Sequence, residues 1–324
     1  MILVIGATGF IGSNLLLKLA KDGIYPIATY RKNSNKDKIA SLFINKFPDG
    51  NKRFKRIIWR RAELRDFQSL IEAFEGVSKV YHCAGFVSMA FRDRNKLLEI
   101  NQKGTSYVVD LCLKNNIKKL LYVSSIASLG SSENEIIIDE NSSWNNSIDK
   151  TPYAYSKYGA EMEVWRAGQE GLNVVIVNPG IVLGAESPME KIFKRTNHWL
   201  SFYTTGTSGY VWIEDVTFVM IRLMNSKIKS ERFVLVAENW SGKSMVQAYL
   251  KIHKIDNKII KISKVTLYFF WLIEHFLEII CLRKRFFTKA LIAVILDKKK
   301  INGEKIKSFI DFEYSPISLS LKKL

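Results

Sequence analysis

The chain has 324 residues, 47% hydrophobic and 25% charged, enough for a large core and ordinary for a globular protein. Its three cysteines, Cys83, Cys112 and Cys281, stand far apart, and the four histidines, His82, His198, His253 and His275, show no HExxH spacing. Neither a disulfide framework nor a metal site is expected, and a reducing, cytoplasmic setting follows. The formal net charge of +18 gathers toward the end, where residues 227–324 carry 20 Lys and Arg against 9 Asp and Glu. With no nucleic-acid-binding motif beside it, that surplus implies no nucleic-acid partner.

The first stretch, ILVIGATGFIG over residues 2–12, opens with a short β-branched run of the kind buried on both faces of a parallel sheet. It then turns through Gly6, Gly9 and Gly12 into the helical pattern Ile11, Leu15, Leu16, Leu19. Glycines at such a junction allow a tight turn and let a pyrophosphate approach the backbone, and the free N–H groups of the helix start hold the anion. The spacing is GxxGxxG rather than GxGxxG. The chain begins in this strand without the basic, apolar, small-residue order of a signal peptide, so no secretion is expected.

Further strands are predicted at Tyr25–Tyr30, Phe54–Trp59, Lys79–Cys83, Leu120–Ser124 and Asn173–Val177, with helices at Lys36–Phe47, Asp66–Phe74, Asn95–Lys114 and Pro152–Gln169. That alternation implies a doubly wound parallel sheet, a Rossmann fold in the α/β class. Beyond Gly184 it breaks down. Tyr210–Ile213 and Phe233–Val236 read as strands returning to the main sheet around a helix at Val216–Asn225. A dinucleotide-binding domain over 1–184 and about 206–236 is expected, with a smaller, mostly helical substrate lobe over about 185–205 and 237–324.

Ligands of such sheets bind beyond the carboxyl ends of the strands. After the second strand comes Arg31, whose guanidinium suits the 2′-phosphate of NADP, where a carboxylate would suit NAD. NADP is therefore the expected cofactor, with NAD as the alternative. Thr151 and Pro152 form a good N-cap and first-turn pair, which places Tyr153 in the first turn of a helix and Lys157 one turn on, on the same face. A tyrosine with an ordinary pKa of about 10 exchanges protons poorly near neutrality, and an adjacent ammonium stabilises its phenolate. Ser125, at the end of the fifth strand, would hold the substrate oxygen.

With these motifs in order, namely GATGFIG at 6–12, AELRD at 62–66, YHCAG at 81–85, NQKGT at 101–105, YVSS at 122–125 and YAYSK at 153–157, the chain resembles an extended short-chain dehydrogenase/reductase of the NAD-dependent epimerase/dehydratase family. The resemblance implies an NAD(P)-binding Rossmann domain with Ser125, Tyr153 and Lys157 as the catalytic set and Asn101 as a supporting residue. It implies that Gly6, Thr8, Gly9, Phe10, Ile11, Gly12, Arg31, Glu63, Leu64, Ala84, Gly85, Lys157 and Pro179 meet the cofactor. Glu63 stands where the family usually has aspartate.

Sugar-nucleotide epimerases and dehydratases usually carry an arginine-proline pair after the sixth strand, and a second arginine before a later strand that ends in an acidic pair. Here those places hold Asn178 and Ser208, which removes both diphosphate ligands. What remains is similar to the dihydroflavonol reductase and 3β-hydroxysteroid dehydrogenase branch. The resemblance thus implies an oxidoreductase interconverting a ketone or aldehyde and an alcohol on a mainly apolar small molecule, in a monomer or homodimer. The alternatives are a sugar-nucleotide epimerase or dehydratase, and a non-catalytic NAD(P)-binding sensor or scaffold, which would have no need of a phenol beside an ammonium. Residues 87–94, VSMAFRDR, would line the substrate side.

The segment 265–282, followed by Arg283, Lys284 and Arg285, is nearly long enough to span a bilayer, but Glu274 and Glu278 near its middle oppose that. It reads first as an amphipathic helix roofing an apolar pocket, with Phe269, Phe270, Trp271 and Phe276 as wall. The second reading lays residues 265–285 on a membrane surface.

Overall fold

A computed structural model describes residues 1–130, 136–145, 150–195, 200–279 and 288–324. The first half alternates as β1 (Ile2–Ile5), α1 (Phe10–Lys21), β2 (Ile27–Tyr30), α2 (Lys36–Lys46), α3 (Gly50–Lys55), β3 (Ile58–Arg61), α4 (Phe67–Ala73), β4 (Lys79–His82), α5 (Arg94–Leu97), a π-helical turn (Leu98–Lys103), α6 (Gly104–Lys114) and β5 (Lys119–Val123). After the short β6 (Ile137–Ile138) come α7 (Pro152–Gln169), β7 (Val174–Pro179), β8 (Ile181–Leu183), α8 (Pro188–Arg195), β9 (Leu200–Tyr203), β10 (Thr207–Trp212), α9 (Ile213–Asn225) and β11 (Glu231–Leu235). The remainder is β12 (Glu238–Ser241), α10 (Gly242–Ile252), β13 (Lys258–Lys261), α11 (Lys264–Ile279), α12 (Lys289–Leu296), β14 (Lys300–Ile301) and α13 (Ile317–Leu321).

Seven parallel strands form the main sheet in the order β11-β7-β5-β4-β1-β2-β3. Strand side chains alternate faces, and both faces are apolar. Val4, Ala28, Tyr81, Leu121 and Val175 point to one core with Leu15, Leu16 and Leu19 of α1 and Val219 and Leu223 of α9. Leu3, Ile5, Ile27, Val80, Leu120 and Val174 point to the other with Leu70, Val108, Cys112 and Val164. This is the predicted doubly wound fold.

Three expectations change. Phe54 lies in α3, and the third strand begins later, at Ile58. As an edge strand β3 tolerates Arg60 and Arg61, so an apolar run misplaces it. The strand predicted at Tyr210–Ile213 forms, as β10, but it does not return to the main sheet. It pairs with β8 and with β12 in a separate three-stranded sheet, while β11 alone rejoins the main one. The predicted helix Asn95–Lys114 is interrupted by the π-helical turn.

The C-terminal region combines helices with small sheets, β12-β10-β8, β13-β9 and β14-β6, around a core of Leu183, Tyr210, Trp212, Met245 and Tyr249. It is less purely helical than expected. Residues 280–282 of the apolar segment, the basic triplet at 283–285 and Cys281 lie outside the described residues. No helix among the described residues is long and apolar enough to cross a membrane.

Candidate active site

Gly6 turns the chain from β1 toward α1 at φ +81°, and a Cβ there would stand 2.6 Å from the backbone of Ala84. A Cβ on Gly12 would come within 2.3 Å of the Gly6 carbonyl. The loop is thus packed as closely as glycine allows, and no described side chain caps α1, so the first-turn N–H groups suit an anion. This cradle fits a dinucleotide pyrophosphate. Beside it, Gly6, Thr8, Gly9, Arg31, Glu63, Leu64, Ala84 and Gly85 line one cleft of about 250 Å³. Phe10, Ile11, Gly12 and Pro179 do not line it. Phe10 faces a larger cavity of about 510 Å³ on the far side of α1, which also touches none of Ser125, Tyr153 and Lys157. Gly12 is buried, Ile11 packs into the core, and Pro179 ends β7 in register with Leu235.

Arg31 is exposed at the end of β2, and its backbone N–H donates to Ser34 Oγ at 3.1 Å. Thr8 Oγ1 donates to the same Ser34 hydroxyl at 3.2 Å, so Ser34 ties the Arg31 turn to the glycine loop. Sequence reading missed Ser34, although a hydroxyl three residues after a strand-end arginine is a usable signal. Thr29, also missed, accepts the Gly6 N–H at 3.1 Å. Glu63 is half-buried and its own N–H is held by Ser69 Oγ at 3.0 Å.

None of Ser125, Tyr153 and Lys157 lines that cleft; α7, which carries the last two, begins as predicted. Thr151 accepts the Ala154 N–H at 3.2 Å and Pro152 occupies the first turn. Tyr153 is hydrogen-bonded to Ser125; burial raises its phenol above the ordinary value, and the bond from Ser125 opposes that rise. Lys157 is buried, and desolvation pulls it down to about 7 against the charge of Glu161. Its Nζ donates to the Tyr122 hydroxyl at 2.6 Å and to the Val123 carbonyl at 2.8 Å. The phenol hydrogen-bonded to this ammonium is therefore Tyr122 from β5, where the helical spacing pointed to Tyr153. A Cβ on Gly85 would sit 4.0 Å from Lys157 Nζ, so the lysine reaches the wall of the nucleotide cleft.

Tyr122 extends a buried polar chain. Thr105 hydrogen-bonds its phenol, and His82 Nε2 lies 3.0 Å from Thr105 Oγ1. Burial, aided by the charge of Lys157, holds His82 down to about 3, so the imidazole is neutral at physiological pH. Asn101 sits in the π-helical turn, a distortion that recurs at functional sites. Its amide clamps Phe86, accepting the N–H at 2.7 Å and donating to the carbonyl at 2.9 Å, and donates to Ser156 Oγ at 2.9 Å. It fixes the backbone beside Gly85.

Beneath Ser125 lies an arrangement that sequence motifs did not show. Glu161, fully buried on α7, accepts from Ser124 Oγ and Ser128 Oγ at 2.7 Å each and from Asn178 Nδ2 at 2.9 Å. Arg232 Nη1 from β11 completes it at 3.0 Å. Asn178 also donates to the Ser125 carbonyl at 3.2 Å, and the single Ser128 hydroxyl proton is shared between Glu161 and that carbonyl, 2.7 Å from each. The loop after β5 is thus held from below by a charge-paired network. In the segment 87–94, Ser88 Oγ donates to Asp93 at 2.5 Å and Ala90 is buried, while Val87 is exposed.

A glycine cradle at a helix start, a cleft beyond the carboxyl ends of the parallel strands, and a serine after the interior strand β5 near Tyr153 and Lys157 of α7 are the features of a dinucleotide-binding α/β protein. Residues 2–235 match the NAD dependent epimerase/dehydratase family, and the chain belongs to that family, whose members use NAD(P). It is 27% identical over 244 residues to sterol demethylase protein B of Methylococcus capsulatus, covering 73% of this chain and 70% of that protein. It is 27% identical over 249 residues to cinnamoyl-CoA reductase 1 of Arabidopsis thaliana, covering 72% and 69%. The crystal structure of gox2253 shares the fold, with a TM-score of 0.83, 22% identity, and coverage of 100% of this chain and 96% of that one.

Proposed function

We propose that the protein is an NADP-preferring oxidoreductase that interconverts a ketone or aldehyde and an alcohol on a mainly apolar small molecule. The observation that carries this reading is Lys157, one turn along α7 from Tyr153, held by Tyr122 and Val123 beside Gly85 of the nucleotide cleft, with Ser125 acting on the Tyr153 phenol. The nicotinamide, when bound, supplies or accepts the hydride. Gly6, Gly9 and the start of α1 would hold the pyrophosphate, Glu63 and Leu64 the adenine side, and Ala84 and Gly85 the nicotinamide side. Arg31 and Ser34 would take the 2′-phosphate, a guanidinium and a hydroxyl on one turn.

Ser125 orients the substrate oxygen, and Tyr153 passes its proton to that oxygen in reduction or takes it back in oxidation. The Lys157 ammonium stabilises the phenolate left on Tyr153. Two of its three donors are committed to Tyr122 and Val123, which fixes the nitrogen, and the third would serve the cofactor ribose. Asn178 speaks against a sugar-nucleotide substrate: it is fully buried and its amide nitrogen serves Glu161, Ser125 and Ser128. Ser208, in place of the second arginine, hydrogen-bonds Tyr210. Similarity to cinnamoyl-CoA reductase 1 supports the reductase reading.

Incubating the purified protein with NADPH and a panel of aldehydes and ketones tests this. Loss of NADPH absorbance with an apolar carbonyl is expected, at a rate well above that with NADH. Co-purification of a UDP- or GDP-sugar, with no carbonyl reduced, would overturn it.

A further inference from the structure

A water-facing helix ordinarily buries its apolar stripe and exposes its charges. α11 does the reverse. Val265, Phe269, Leu272, Phe276 and Ile279 fall on one face at helical spacing and are each 55% to 79% exposed. On the opposite face Leu267 is buried, and Glu274 and Glu278 are half-buried. Of the aromatic residues expected to wall a pocket, Phe269, Phe270 and Phe276 are turned outward and Trp271 is half-buried against His275. α12, packed against α11, adds the exposed Val294. A contiguous patch of this kind marks a docking surface.

Length and charge decide the occupant. The sixteen described residues of α11 rise about 24 Å, and Glu274 and Glu278, near the middle of the apolar segment, would be costly in a hydrocarbon core, so the described helix suits the surface of a bilayer rather than its interior. Exposed lysines border the patch: Lys258 and Lys261 on β13, Lys264 at the start of α11, and Lys289, whose ammonium lies 4.9 Å from the Trp271 ring centroid. A second copy would bring the same lysines and another +18 charge against these, whereas an anionic lipid surface complements them. We propose that α11 seats the protein on anionic membranes, with its aromatic stripe at the headgroup–acyl boundary and the lysines at the lipid phosphates.

Co-sedimentation of the full chain with phosphatidylcholine vesicles, with and without about one third phosphatidylglycerol, tests this. Binding to the anionic vesicles should be at least tenfold tighter than to the neutral ones and should weaken with salt. Phe269→Ser with Phe276→Ser should lower it at least tenfold, with circular dichroism and the mass from sedimentation equilibrium unchanged. Lys258→Glu with Lys261→Glu and Lys264→Glu should abolish the preference for anionic lipid. The proposal is overturned if the unaltered chain stays in the supernatant with anionic vesicles or if the Phe variant binds as well as the parent. It is also overturned if that variant halves the mass, which would make the patch an interface between copies.

Discussion

Replacing Glu161 tests how the site is held. Its carboxylate accepts three neutral donors and pairs with Arg232, which is itself 19% exposed. Glu161→Gln keeps one acceptor oxygen but removes the carboxylate paired with Arg232, whose other N–H groups stay on the Glu140 carbonyl. Breaking a buried pair costs about 3–5 kcal/mol, and the partial exposure of Arg232 brings the expected loss to the lower end, about 3 kcal/mol. Glu161→Leu also removes the acceptor for Ser124, Ser128 and Asn178. An orphaned donor costs about 1–3 kcal/mol, but Ser128 and Asn178 keep the Ser125 carbonyl, so Ser124, 3.0 Å from the Ser128 hydroxyl, is the donor most exposed to that cost. A total loss of about 5 kcal/mol follows, a large share of the stability of an ordinary domain. Urea denaturation followed by circular dichroism measures it. Arg232→Met added to Glu161→Gln should recover part of the loss by removing the unpaired charge. Because Ser125 is anchored to the same network, kcat should fall in Glu161→Gln while NADPH affinity, set at the Gly6 end, holds. If both single variants unfold within about 0.5 kcal/mol of the parent, the network does not brace the site.

Tyr122→Phe removes the hydroxyl that accepts from Lys157 at 2.6 Å, a bond that favours the charged lysine. The limb of the kcat–pH profile belonging to Lys157 should move to lower pH by about one unit; an unmoved limb would show that the bond does not tune the lysine. Lys157 also links stability to pH. With its folded value near 7 and its unfolded value near 10.5, the unfolded chain binds the extra proton between those limits, so this group makes stability rise with pH across that window. Denaturation midpoints of the parent and Lys157→Met should therefore diverge in the parent's favour from pH 7 to pH 10, and parallel curves would refute the depressed value. Arg31→Ala should lower NADPH affinity at least tenfold and leave NADH affinity nearly unchanged, and an unaltered ratio would remove Arg31 from phosphate binding. Gly6→Ala should abolish binding of either dinucleotide, since the new methyl meets Ala84 and φ is positive, and titration calorimetry that still shows binding would contradict the cradle.

Much of this architecture was legible because local signals and tertiary demands agree. The run at Ile2–Ile5, the glycines after it, and Thr151-Pro152 at the start of α7 each act within a few residues, and the structure places them as the sequence implies. Features set by long-range pairing were not legible. β10 is as apolar as a main-sheet strand, and its composition could not say that β8 and β12 would claim it. A second phenol on Lys157 escapes the sequence for a related reason: spacing along a helix identifies Tyr153, and parallel pairing of β5 adds Tyr122 on the same ammonium. Glu161 lies one turn beyond Lys157, and only the meeting of α7 with the loop after β5, with β7 and with β11 supplies its four donors. α11 defeats the burial rule itself, because its apolar face points to solvent.

The central claim is that Tyr153 moves the proton while the glycine loop holds the redox cofactor. Its most direct measurement is single-turnover oxidation of bound NADPH by a carbonyl substrate in the parent and in Tyr153→Phe, with NADPH affinity determined for both. The account predicts equal affinity and a rate reduced by at least a hundredfold in the variant, the scale of general acid–base catalysis. A variant that oxidises NADPH at the parent rate would contradict it.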